Sequence, residues 1–258
     1  MDLGSFMVLY SILFGLALGS FINVCIYRIP LKKSIISPPS TCPKCGQRIK
    51  FYDNIPLISY ILLLGKCRHC HDRIPLTYPA VELLIGVMSL ALFIRYGLSI
   101  HYILFLLFVS ALIAISFIDF RHKIIPDVLS LPGIVAGFLI SFLPGTITWL
   151  DSLIGILSGG GALFLVGFVY KILTGREGMG GGDVKLLAMI GAWMGWISLP
   201  FIVLISSLTG AVIGFAFIIL SGKGLRFRIP FGPFLSLGAL LYFFFGSELT
   251  NLYFRLLG

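Results

Sequence analysis

Apolar runs of membrane-crossing length recur along this chain, and no other feature limits its fold as strongly. A helix needs about 20 predominantly apolar residues to traverse a hydrocarbon core, and suitable runs occupy residues 6–27, 78–96, 102–118, 128–143, 150–173 and 231–254. A further run over residues 184–220 is too long for one span and contains Pro200, so it reads as two helices meeting near Leu199 and Pro200. The expected fold is an all-α polytopic membrane protein of about eight transmembrane helices. Composition agrees: 58% of the 258 residues are hydrophobic and only 11% are charged, outside the range of soluble domains.

The formal charge of +9 would suit a nucleic-acid binder until the cations are placed along the chain. Asp2 stands where a cleavable signal would carry a basic segment, and Arg28 follows the first apolar run, so that run reads as a retained helix with its N-terminus outside. With eight spans, the inner segments are then residues 28–77, 119–127, 174–183 and 221–230. Within or flanking them lie 17 of the 19 Lys and Arg residues; Arg95 and Arg255 are left for the other side. This is the asymmetry of the positive-inside rule. The charge therefore describes topology, and no nucleic-acid partner is expected. Three parts follow: a first helix to residue 27, a polar cytoplasmic insertion over 28–77, and a transmembrane core over 78–258.

The insertion contains Cys42-Pro-Lys-Cys45 and Cys67-Arg-His-Cys70, two C-x2-C knuckles with 21 residues between them, one beyond the usual zinc-ribbon window. Four thiolates on two tight turns can wrap Zn2+ tetrahedrally, and a module of this size with few apolar core residues needs such a staple. Two disulfides are the competing reading, which a reducing cytoplasm disfavours. A closed four-cysteine site is structural rather than catalytic. His69 and His71 read as exposed loop residues, and Cys25 as a small apolar residue of the first helix.

Two acids stand out in the apolar part. Asp119 ends the run Ala111-Leu-Ile-Ala-Ile-Ser-Phe-Ile118, and Asp183 follows Gly178-Met-Gly-Gly-Gly182 and opens the next helix. The topology puts both at the same cytoplasmic depth. Paired carboxyls in a partly dry site share a proton, so one can accept a proton from an attacking water while the other donates to the developing oxyanion. The glycines allow backbone to open for an extended substrate strand. Plainer readings make Asp183 a helix N-cap and Asp119 an interfacial partner of Arg121 or Lys123; Asp127 reads as a cap.

Along nearly its whole length the chain resembles the type IV prepilin peptidases. The resemblance is carried by Gly19-Ser-Phe-Ile-Asn-Val-Cys-Ile-Tyr-Arg-Ile-Pro30, the paired knuckles with Tyr52-Asp-Asn-Ile-Pro-Leu57 between them, and Tyr78-Pro-Ala-Val-Glu82. It continues through Ile118-Asp119 with Ile125-Pro126-Asp127, Gly178-Met-Gly-Gly-Gly-Asp183, and Phe231-Gly-Pro233. It implies that Asp119 and Asp183 form the catalytic pair of a Gly-x-Gly-Asp intramembrane aspartyl protease. By the same resemblance the cysteine module serves N-methyl transfer from S-adenosylmethionine, with Gly65 and Lys66 as candidate cofactor-binding residues. Thr77 departs from the Arg expected before Tyr-Pro.

The implied substrates are prepilins or pseudopilins, each with a short basic leader ahead of a hydrophobic helix, cut at the inner membrane's cytoplasmic face. A basic leader calls for acidic groups such as Asp53, Asp72 or Glu82, while the basic module suits contact with the lipid bilayer. Glu82 is otherwise a snorkelling interfacial acid. Two other classes use the same residues: a proton-coupled transporter relaying protons through Asp119 and Asp183, and a zinc-bearing membrane assembly protein without catalysis.

Overall fold

A computed structural model describes residues 3–175, 180–221 and 230–257. Asp2, Arg176, Gly178, Met179, Lys223, Arg226 and Arg228, invoked above for charge placement or for the glycine run, lie outside the described residues. The described chain is helical without a named strand, and five of its helices are long and apolar enough to cross a membrane. Among the described residues, eight helices have 14 residues or more. It forms two compact units, Met1–Ala114 and Ile115–Gly258, whose boundary falls inside one helix.

The first unit contains α1 (Leu3–Arg28), a 3-10 turn at Phe51–Asn54, a short α2 (Ile58–Leu62), α3 (Thr77–Tyr96) and the first part of α4 (Ile100–His122). In lipid, helices associate through close packing rather than through exclusion of water, and α1 meets α3 through glycine. A Cβ added at Gly19 would lie 2.6 Å from the Glu82 Cα, and one at Gly15 would lie 2.9 Å from the Gly86 Cα. Polar groups between these helices are satisfied internally: Ser89 Oγ donates to the Ser11 carbonyl at 2.6 Å and lies 2.7 Å from the Tyr102 hydroxyl, and Asn23 Nδ2 donates to the Tyr78 carbonyl at 3.0 Å. Glu82 is 9% exposed, and its Oε2 accepts the Leu57 N–H at 2.9 Å. It does not snorkel; it holds a backbone position with φ of 58°, one that a residue with a Cβ seldom adopts.

The second unit contains the end of α4 and then α5 (Asp127–Ile140), α6 (Trp149–Thr174), α7 (Gly181–Met194), α8 (Leu199–Ser221) and α9 (Gly232–Leu257). Its centre is α7, buried continuously from Leu186 to Ala192. Gly155 of α6 rests directly on the Gly191 backbone, and a Cβ at Gly159 would lie 2.7 Å from the Leu187 carbonyl oxygen. On the other side of α7, Trp193 Nε1 donates to the Gly133 carbonyl of α5 at 2.8 Å. The long apolar run does divide into two helices, but it breaks at Gly195, where φ is 76°, rather than at the proline. A 3-10 turn at Trp196–Ser198 follows, and Pro200 sits in the first turn of α8, where its missing N–H costs nothing.

Candidate active site and metal centre

Asp119 lies in the last turn of α4 and is 5% exposed. Its carboxylate accepts a hydrogen bond from the backbone N–H of Gly232, the first residue of α9, to Oδ2 at 2.9 Å. Asp183 is the third residue of α7 and not its N-cap; that position belongs to Gly180. The Gly180 backbone N–H donates to the Asp183 carboxyl, and the Asp183 N–H donates to the Gly180 carbonyl at 3.1 Å. Helix N-termini carry unsatisfied N–H groups and partial positive charge, which suits them to holding acids. Asp183 Oδ1 is buried with no hydrogen-bond partner among the described residues.

The two acids belong to one neighbourhood. The carboxyls of Asp119 and Asp183 are near enough to interact electrostatically, and a single side chain, Ile125, lies against glycines beside both. A Cβ added at Gly182 would lie 2.8 Å from the Ile125 Cβ, and one at Gly232 would lie 3.2 Å from the Ile125 Cδ1. Ile125 precedes Pro126, the N-cap of α5. Asp127, expected as a cap, is instead the first helical residue, and its Oδ1 receives Lys185 Nζ of α7 at 2.6 Å. Neither the Gly232 amide on Asp119 nor Ile125 against Gly182 and Gly232 was expected; the available signal was Phe231-Gly-Pro233, where proline leaves glycine as the local N–H donor.

Within the first unit, the two knuckles are built alike. Cys42 N–H donates to the Gln47 carbonyl at 2.9 Å and Cys67 N–H to the Asp72 carbonyl at 2.8 Å; the left-handed positions are Gly46 and His71. The sulfurs of Cys42, Cys45, Cys67 and Cys70 all lie within 4.8 Å of one another, and Cys42 Sγ is 3.8 Å from Cys70 Sγ. A tetrahedral metal with bonds of about 2.3 Å to sulfur has S···S edges of about 3.8 Å, so these residues fit a metal ion. Backbone hydrogen bonds from Cys70 and His69 draw the Cys67 thiol down to about 7. Cys70 is pushed up to about 11: the Asp72 backbone hydrogen bond opposes this, but desolvation and the neighbouring thiols outweigh it. A cation entering a cluster of cysteine sulfurs displaces thiol protons. His69 and His71 are exposed and outside the cluster, and Cys25 is buried and free.

The acids expected to meet a basic leader have other partners. Arg68 Nε donates to both carboxylate oxygens of Asp53, at 2.9 and 3.0 Å, and this hydrogen bonding holds the Asp53 carboxyl below the usual carboxylate range. Lys44 Nζ lies 2.9 Å from Asp72 Oδ1, and Glu82 is engaged with Leu57. Gly65 is a buried left-handed residue closing α2; a Cβ there would lie 2.8 Å from the Tyr60 hydroxyl. Lys66 beside it is exposed.

Comparison with known proteins places these features in a family context. Residues 13–96 match the family described as the bacterial peptidase A24 N-terminal domain, and residues 106–215 match the type IV leader peptidase family. Proteins named prepilin leader peptidase/N-methyltransferase are similar over almost their full lengths. That of Pseudomonas putida is 33% identical over 100% of this chain and 97% of its own. That of Aeromonas salmonicida is 36% identical over 93% and 91%, and that of Legionella pneumophila 37% identical over 96% and 94%. No solved structure matches the chain.

Proposed function

Because this chain belongs to the type IV leader peptidase family, and is a multi-pass membrane peptidase, we propose that Asp119 and Asp183 cleave the leader from prepilins or pseudopilins at the cytoplasmic face of the inner membrane. The observation carrying this reading is the shared setting of the two acids: both at helix ends, both held by a glycine backbone N–H, with Ile125 against both surroundings.

The chemistry follows from two carboxyls that share a proton. The ionised one takes a proton from water as the water oxygen attacks the scissile carbonyl carbon, and the protonated one gives its proton to the carbonyl oxygen. In the second half, the acid that gained a proton delivers it to the leaving nitrogen as the C–N bond breaks. The other recovers its proton from the collapsing diol. Asp183 Oδ1, buried and without a hydrogen-bond partner among the described residues, is the atom proposed to meet water or substrate. As a coupled pair, the two acids titrate as a unit.

The four cysteines would hold a structural Zn2+, which fixes the two knuckles. The relatives' printed name also supports N-methyl transfer, and in this reading S-adenosylmethionine supplies the methyl group to the newly exposed N-terminus. We assign that step to the cysteine module, with Gly65 shaping the turn that presents Lys66. Cleavage of a model prepilin by the purified protein, wild type against Asp119→Asn and Asp183→Asn, tests the protease reading; cleavage retained in both variants would remove it. Label from a methyl donor appearing in the cleaved product tests the second activity.

A further inference from the structure

We infer that Gly232 is a positioning residue of the hydrolytic pair: its backbone N–H orients the Asp119 carboxylate, and its missing side chain leaves the space that carboxylate occupies. The inference rests on the reading of Asp119 and Asp183 as the hydrolytic acids.

Three observations converge on it. The N–H to Oδ2 bond is 2.9 Å long, buried, and spans 113 positions of sequence. Pro233 follows and has no N–H, while the next two amides, Phe234 and Leu235, both turn back to the Phe231 carbonyl. At this end of α9, Gly232 supplies the donor that leaves its own helix for the acid. The site also has no room for a methyl group. A Cβ at residue 232 would lie 2.6 Å from Asp119 Oδ2 and 3.2 Å from its Cγ, with the Ile125 Cδ1 also at 3.2 Å. The first distance is shorter than real Cβ contacts, so either the carboxylate or the start of α9 must shift.

Asp183 is held in a parallel way. The Gly180 N–H reaches its carboxyl, and a Cβ at residue 180 would lie 3.2 Å from Oδ2. The two acids, 64 residues apart in sequence, thus use the same device, a glycine amide at the start of a helix. Gly180 belongs to the helix that carries its acid, whereas Gly232 reaches Asp119 from another helix. The setting of Asp119 therefore depends on where α9 begins. A misplacement of about 1 Å in a reacting group lowers rate by about 100-fold, a loss that falls on kcat.

The test is Gly232→Ala in the full-length protein, purified in detergent, with kcat and KM measured on a model prepilin. The expected result is a kcat about 100-fold lower with KM within about twofold and unchanged helix content. Gly210→Ala serves as the packing control, since its Cβ would make ordinary contacts of 3.5 Å with the Phe234 ring and 3.8 Å with the Phe231 ring; it should leave both constants alone. Should Gly232→Ala fail to accumulate, Ile125→Ala adds no bulk and removes the side chain seated against Gly182 and Gly232, with kcat expected about 10-fold lower. Wild-type kcat in Gly232→Ala, or an effect confined to KM, overturns the inference, as does wild-type kcat in Ile125→Ala where that variant stands in. If Asp119→Asn is inactive while Gly232→Ala is fully active, only the role of Gly232 falls. If Asp119→Asn still cleaves, the hydrolytic reading falls with it.

Discussion

Lys185 Nζ lies 2.6 Å from Asp127 Oδ1, which ties α7, two residues beyond Asp183, to the first residue of α5. Both side chains are partly exposed, at 39% and 57%. Exposed ion pairs contribute about 1 kcal/mol or less and are screened by salt. Lys185→Met should therefore lower kcat by no more than about fivefold, with the deficit shrinking as ionic strength rises and the wild type is itself weakened. A salt titration of cleavage in the two proteins checks this.

Asp119→Asn and Asp183→Asn keep the shape of each side chain but cannot exchange protons as a carboxyl does. Each should reduce kcat by about 100-fold to 10,000-fold. Helix content and metal stoichiometry should be unchanged. Gel-resolved cleavage of a model prepilin, with circular dichroism and metal analysis on the same samples, measures all three.

Cys42→Ser with Cys45→Ser removes one knuckle's ligands from a cluster whose sulfurs all lie within 4.8 Å. Bound zinc should fall from about one per chain to near zero, and the module should become protease-sensitive. Equal metal content before and after would contradict the zinc assignment.

Asp53 gives a pH-dependent prediction. Hydrogen bonding from Arg68 lowers its folded-state value, so the pair stabilises the module fully above the unfolded carboxylate range near pH 4. That contribution is lost as pH falls through the lower folded value. Asp53→Asn should accelerate amide exchange over residues 51–68 by about two- to fivefold at pH 7, and the difference from wild type should vanish at acid pH. Exchange mass spectrometry across that range is the measurement.

Glu82→Leu would leave the half-buried Leu57 N–H without its acceptor, at a cost of about 1 kcal/mol. Glu82→Gln keeps an acceptor oxygen and should cost less. Thermal unfolding of the two variants ranks them, and a reversed order would show that apolar burial outweighs the hydrogen bond to Leu57 at this position.

Much of the architecture could be read from the apolar runs, because their length answers directly to bilayer thickness. The break at Gly195 was missed because Pro200 is the more conspicuous breaker, yet proline is harmless in a first turn. The two acids proposed for hydrolysis and the four cysteines proposed for metal could be picked out in the sequence, since the chemistry assigned to them depends on side-chain type. What could not be read were backbone relations: the Gly232 amide on Asp119, the Leu57 amide on Glu82, and the Gly180 amide on Asp183. A peptide N–H has no residue signature, and only the folded chain reveals its partner. Asp53 and Asp72 looked available to a cationic leader because their partners, Arg68 and Lys44, are 15 and 28 positions away.

Helices α5 and α7 are each 14 residues long, which at about 1.5 Å per residue reaches roughly 21 Å. The hydrocarbon layer is about 30 Å thick. A pair of stunted rods, one starting at Asp127 and the other two residues before Asp183, leaves a depth of several ångströms that acyl chains alone cannot fill without exposing peptide groups to oil. Solvent can pool in that shortfall, and hydrolysis inside a greasy environment needs moisture delivered to the scissile bond.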